Sequence, residues 1–166
     1  MSAEHREDNP RGWQLTRADD GDMDTLMTWF SSAEEVDVWG GPKFRYPFTV
    51  DTFRTDCHWP GMASYCLRDA SGSMCAFGQY YDRNGYMNLA RLVVVPEQRG
   101  RRLGSELVSR LMQAAAEELT LDEFSLFVYR DNAPALKLYQ SLGFEIQEYP
   151  PDQILADKCF FLTRPR

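Results

Sequence analysis

The chain of 166 residues has no apolar run approaching the roughly 18 residues that a bilayer-spanning helix needs. Its opening, MSAEHREDNPRG, is polar and charged and has no apolar signal-peptide core. These two absences set the expectation of a cytoplasmic protein without a membrane partner. There is no C-x-x-C pair: Cys57, Cys66, Cys75 and Cys159 stand apart, and free thiols in a reducing compartment are expected. Cys57 and His58 are the only close pair of soft metal ligands and lack further partners, so no metal site is expected. Basic residues are in the minority, 18 against 25 acidic, for a net charge of -7. That balance argues against a broad nucleic-acid or anionic-membrane surface, yet leaves room for a local basic site. Internal repeats and low-complexity linkers are missing too.

What is present fits one globular domain. Hydrophobic residues make up 43% and charged residues 26%, and a chain this long buries a core without disulfides or metal. Residues 1–12 read as a flexible tail and 13–166 as the domain. A short strand is predicted over 13–17. Asp20 or Asp22 then caps a helix whose apolar positions Met23, Leu26, Met27 and Phe30 follow the i, i+3, i+4, i+7 pattern. Trp29 lies off that stripe, either as a second packing contact or as a pocket wall. Gly40, Gly41, Pro42 and Pro47 punctuate residues 31–48, which read as an aromatic-rich loop. A short helix is expected over 50–57, and strands over 63–69, 74–82 and 86–95 as an antiparallel meander. A long amphipathic helix spans 103–119. A strand at 123–129 and a helix at 133–142 follow, the helix capped by Asn132 and ended by Gly143. Final strands are placed at 144–149 and 158–163. The fold class is α/β (α+β): a mixed, mostly antiparallel sheet of about seven strands, with about four helices on its two faces.

The most informative stretch is LVVVPEQRGRRLGSELV, beginning at Leu92. A strongly apolar strand ends at Pro96, and a loop with three arginines and two glycines enters the long helix. Unpaired N–H groups and a positive dipole end lie at that helix start. With the arginines they suit a pyrophosphate; the plain alternative is a basic turn that starts a helix. The spacing is neither that of a P-loop nor of a dinucleotide fingerprint. In the second stretch, DNAPALKLYQSLGFEI, Asn132 and Tyr139 stand two helical turns apart, so both reach the same groove.

Taken together, strand–Pro–RGRRLG–helix–strand–N-x-x-A-x-x-x-Y-x-x-x-G-F resembles the GNAT superfamily of acetyl-CoA-dependent N-acetyltransferases. The family's loop motif is [QR]-x-x-G-x-[GA]; here Arg102 replaces the middle glycine. The resemblance implies that Leu92, Val93 and Val94 pair their backbone with the pantetheine arm of CoA. It implies that Arg99, Gly100, Arg101, Arg102, Leu103, Gly104 and Ser105 form the pyrophosphate loop. Asn132 then hydrogen-bonds the cofactor arm and Tyr139 is the general acid. The implied partners are acetyl-CoA, without metal, and an unidentified amine acceptor, for a monomer or homodimer. In chemical terms, a strand N–H near Val93 or Val94 suits a developing oxyanion, and a tyrosine hydroxyl suits a departing thiolate.

Two departures stand out. Phe127 occupies a position where some relatives carry a glutamate, and Arg91 one where some carry a carboxylate. Glu34, Glu35, Asp37 and Asp82 are the substitute bases, or else solvated surface charges. Trp29, Trp39, Phe44, Tyr46, Phe53 and Trp59 either wall an acceptor site or plug the core beneath a loop. An enzyme that acetylates a primary amine of a small molecule or protein is the expected activity. A non-catalytic acyl-CoA-binding or sensor module on the same fold is the alternative.

Overall fold

The computed structural model describes residues 12–100 and 102–166. The proposed tail, save Gly12, and the loop residue Arg101 lie outside the described residues. Strand β1 (Gln14–Arg17) runs into helix α1 (Asp20–Met27). The cap is Asp19, not Asp20 or Asp22. Asp19 Oδ1 accepts from Asp22 N at 2.8 Å, and Asp22 Oδ2 accepts from Asp19 N at 2.9 Å. This reciprocal pair satisfies two amides at once, which selects one aspartate from an acidic run. Asp22 also meets Arg68 at 2.5 Å, tying α1 to the sheet. Burial alone would raise the Asp22 carboxyl; the Arg68 guanidinium and the Asp19 N–H outweigh it and hold it below the usual carboxylate value.

The stretch read as an aromatic loop contains a further helix, α2 (Ala33–Gly40), started by Ser32, whose Oγ accepts from Glu35 N at 3.1 Å. Only Val36 of α2 is fully buried, too little to show a helical period. Gly40 ends α2 against Phe44: a Cβ there would stand 2.6 Å from the Phe44 ring. Helix α3 (Val50–Asp56) and strands β2 (Ala63–Arg68), β3 (Met74–Arg83) and β4 (Tyr86–Val94) follow as expected. Then come α4 (Leu103–Glu118), β5 (Glu123–Tyr129), α5 (Ala133–Ser141), β6 (Glu145–Gln147) and β7 (Cys159–Pro165). The seven strands lie in the order β1-β2-β3-β4-β5-β7-β6, antiparallel except for β4 beside β5. Five α-helices are described where about four were expected, α2 being the addition.

Alternation along the strands sends side chains to two cores. Cys66, Phe77 and Val93 meet Met23, Leu26, Phe30 and Phe53 on the α1–α3 face. On the other face, Leu107, Val108 and Leu111 of α4 cover the sheet, and Leu136 and Tyr139 of α5 join that cluster. All four cysteines are free and buried. Burial pushes the Cys57 thiol up to about 12, so it keeps its proton and is a poor metal ligand. Among the described residues no group of three His, Cys, Asp or Glu side chains is placed to hold a metal. Likewise, no described helix is long and apolar enough to cross a membrane.

Candidate active site

The sheet opens where β4 and β5, the one parallel pair among the described residues, meet. β4 and β5 pair at Met87↔Phe124 and Asn88↔Ser125, then separate. Ser125 Oγ donates to Asn88 Oδ1 at 2.9 Å, a buried clamp at the last shared rung. Beyond it a bulge bends β4. Gln79 pairs with Ala90 but Phe77 with Val93, so β4 carries one extra residue, and Arg91 takes φ 50. Gly78 lies across from the bulge. A Cβ there would stand 2.8 Å from Leu111 and 2.9 Å from Leu92, so glycine lets the bulge and α4 close on β3.

The bulge also sets which amides face the opening. Val95 N–H donates to Cys75 O at 2.8 Å, and Val93 is in register with Phe77, so both turn toward β3. Alternation turns Leu92 and Val94 the other way, into the fork. Arg99 Nε reaches the Val94 carbonyl from that side at 3.4 Å. Of the two residues expected to offer an oxyanion donor, Val94 turns its amide to the opening, whereas Val93, which also lines the cavity, turns its amide to β3.

A cavity of about 1370 Å³ passes through the fork. On one side it reaches Tyr139 and Pro134 of α5; on the other it reaches Phe30, Trp39 and Phe44 beside α2. A second groove, about 540 Å³, continues from Val94 and Arg99 along the start of α4 to Leu138 and Ser141 of α5. Gly100, Arg102, Leu103, Gly104 and Ser105 line it. Gly100 needs its glycine, having φ 83. Arg102 holds the left-handed conformation at φ 63 as the N-cap of α4, with no side-chain cap bond. The first amides of α4 are thus left to a ligand or solvent. Gly104 admits close approach to α5: a Cβ there would meet Leu138 at 3.1 Å.

Asn132 both lines the cavity and caps α5, its Oδ1 accepting from Ala135 N at 3.3 Å. Tyr139 lines the same wall, its ring edge-on to Phe144 at 6.3 Å. Burial pushes the Tyr139 hydroxyl up to about 12. The structure therefore brings Leu92, Val93, Val94, Asn132 and Tyr139 to one opening, with Arg99 and Arg102 in the groove that continues from it.

A model of the acetyltransferase (GNAT) family matches residues 24–144. The chain belongs to this family. The GNAT chain is 32% identical over 139 residues to a mycothiol acetyltransferase of Corynebacterium aurimucosum, covering 82% of the chain but 38% of that protein. A mycothiol acetyltransferase of Clavibacter michiganensis is 38% identical over 77 residues, 46% of the chain and 25% of that protein. The chain thus spans well under half the length of these relatives. In fold it is similar to the spermidine N-acetyltransferase of Vibrio cholerae in complex with CoA and spermine, with a TM-score of 0.73. The identity is 15%, and the match covers 92% of this chain and 95% of the other.

In the other half of this GNAT site the aromatic candidates divide between the two roles left open, cavity wall and core plug. Trp29 packs in the core, Phe53 is fully buried and Tyr46 is exposed; only Trp39 and Phe44 of the six aromatic candidates line the cavity. Trp59 Nε1 instead donates to Asp20 at 3.0 Å. Among the candidate bases, Glu34 and Glu35 line the cavity. Glu35 is held by Ser31, whose N donates at 2.9 Å. Asp82 accepts from Gly85 N in the β3–β4 turn and does not line the cavity. Asp37 accepts from the Tyr129 hydroxyl at 3.4 Å, and burial first, then Asp37, push that phenol up to about 12. Phe127 carries the Arg83 guanidinium over its ring at 4.2 Å. Sequence reasoning missed Arg83, Asn88, Ser125 and the segment from Tyr149 to Leu155. The predicted strand ends at 149 and no role was assigned to 150–157, whereas Tyr149, Asp152, Gln153, Ile154 and Leu155 line the cavity.

Proposed function

We infer that this domain transfers the acetyl group of acetyl-CoA to a primary amine by direct attack, with both substrates bound at once. The observation that carries this reading is the fork. One unpaired strand edge, with the Val94 amide turned inward, is continuous with the uncapped start of α4 on one side and an open cavity on the other. The residues present fit CoA: arginines and helix-start amides suit its phosphates, and the edge of β4 suits its amide-bearing arm. When bound, acetyl-CoA supplies an acetyl group activated as a thioester.

The chain's own groups do the rest. The Val94 amide presents a donor where negative charge gathers on the carbonyl oxygen, and the Leu92 amide, two residues back on the same edge, is left for the cofactor's arm. Tyr139, protonated at neutral pH, holds a proton for the departing thiol. Asn132 orients the arm. An amine with pKa about 10.4 must arrive neutral, and Tyr129 with Asp37 is placed to pass its proton out of the cavity.

Incubating the protein with acetyl-CoA and a panel of amines, with thiol release as the readout, tests the reading. Acetylated product with stoichiometric CoA is expected. CoA binding without transfer to any amine would favour the acyl-CoA-binding module instead.

A further inference from the structure

The acceptor side of the cavity carries both signs of charge, Lys43, Arg83 and Arg91 beside Glu34, Glu35 and Asp56, and its carboxylates do not meet its guanidiniums: Asp56 is taken by Arg45 and Glu35 by Ser31. Among the described residues, three buried side-chain polar atoms have no partner: Trp39 Nε1, Arg54 Nε and Arg91 Nε. Arg54 is engaged elsewhere, its other nitrogens held by Asp20 and Asp24 at 3.1 Å each. Trp39 and Arg91 both line the cavity, and both unpaired atoms are donors. Orphaned buried donors are costly, so two in the lining of one cavity point to a ligand that brings acceptor oxygens.

Arg91 is held firmly and left unneutralised. Its Nη1 donates to Gln79 Oε1 at 3.0 Å and lies 3.6 Å from Met62 Sδ. Gln79 is fully buried, and its Nε2 donates to Cys57 O at 2.7 Å and Ser64 Oγ at 2.9 Å. Those two acceptors fix the sense of the amide, so its oxygen is turned to Arg91. None of the five ion pairs among the described residues includes Arg91. Asp56, whose field reaches Arg91, is itself taken by Arg45 at 2.9 Å and 3.1 Å. The other nearby charge repels: Arg83 also lines the cavity, and its hydrogen-bond partners are the neutral Tyr81 and Gln153. Two guanidiniums with neutral partners face one cavity in a chain of net charge -7. A half-buried cation without a counter-charge is disfavoured unless an anion completes it.

We propose that Arg91 anchors a carboxylate of the acceptor, so that the amine acetylated belongs to a free amino acid rather than to a polycation. The guanidinium fork matches a carboxylate. Arg91 also stands at the bulge of β4, three residues before Val94, so the anchor and the inward-facing amide belong to the same strand end. The Trp39 indole N–H meets a further oxygen of the same molecule. Polyamines and aminoglycosides would bring positive charge against Arg83 and Arg91.

This assignment rests on the acetyltransferase reading above, and one set of measurements separates their failures. Acetyl transfer is measured for the free L-amino acids, for the matching L-amino acid amides, and for spermidine and an aminoglycoside. CoA affinity is measured calorimetrically on the same protein. The expected result is a kcat/KM at least about tenfold higher for the best free amino acid than for its amide. In Arg91→Gln that preference should shrink by about tenfold or more. Arg91→Lys, which keeps the charge but loses the fork, should fall between and guards against a folding defect. Equal use of acids and amides, preference for spermidine or the aminoglycoside, or a preference that survives Arg91→Gln overturns the proposal. If CoA binds but no free amino acid is acetylated, the proposal fails and the cofactor reading stands. If CoA does not bind, both fail.

Discussion

Tyr139 has a packing role and, in the proposed reaction, a chemical role, and one substitution separates them. The ring stands edge-on to Phe144, while no described residue hydrogen-bonds its hydroxyl. Tyr139→Phe keeps the ring and removes only the proton donor. Because no described bond is lost, stability should change by less than about 1 kcal/mol. The transfer rate should drop at least about tenfold, since a general acid contributes about 100-fold or more and water replaces only part of it. The Michaelis constant for acetyl-CoA should move much less, the hydroxyl acting once charge reaches the sulfur. With its phenol raised to about 12, Tyr139 stays protonated through neutral and mildly alkaline pH. The rate of the wild type should therefore not fall from Tyr139 ionisation as pH rises from 7 to 10. Turnover and thermal melting on one preparation, across that range, check all three statements. Unchanged turnover in Tyr139→Phe, with chemistry limiting, removes Tyr139 from the mechanism.

At the scale of the element, the start of α4 sets stability against charge. Arg102 sits at φ 63 with no side-chain bond capping the helix, a conformation that costs a non-glycine residue about 1 kcal/mol. Arg102→Gly should raise unfolding free energy by up to about 1 kcal/mol and weaken CoA, because a cation beside the phosphates is lost. Denaturant melts and calorimetry should thus move in opposite directions; a loss in both would mean that Arg102 stabilises the helix start. How far such elements could be read from the sequence follows from the range of the signal. β5, α4 and α5 were legible to within a residue because strand alternation, helical period and the Asn132 cap are local. The position at which α4 begins was legible for the same reason. Helix α2 was not, with one buried residue and glycine and proline at its end. The fork was also hidden. β5 pairs with β7 over seven residues and with β4 over two, and that difference depends on residues far apart in the chain. Nor does the Arg91 bulge announce itself, because the glycine that permits it is Gly78 on the neighbouring strand.

Across the whole molecule, the fork lies between two fields of opposite sign. The chain as a whole carries -7, which repels the phosphates of CoA, while in the proposed complex Arg99 and Arg102, which line the groove at the helix start, attract them. Distance separates the two effects. The Debye length falls from about 30 Å at 0.01 M salt to about 10 Å at 0.1 M. Repulsion from charges spread over the surface is therefore screened first, and contacts in the groove are screened last. CoA affinity should change little as salt rises to about 0.1 M, where the loss of repulsion offsets early weakening of attraction. Above that it should fall, because only the local attraction remains to be screened. Arg102→Ala should lower affinity at every salt concentration and flatten the high-salt fall, having removed one of the charges that produces it. Calorimetric titration of CoA from 0.02 to 1 M salt, with both proteins, reads these slopes directly. Affinity that climbs steadily with salt would show the net charge ruling the encounter and the arginine groove contributing little. A parallel fall in wild type and Arg102→Ala would place the attraction elsewhere on the loop, with Arg99 the next residue to change.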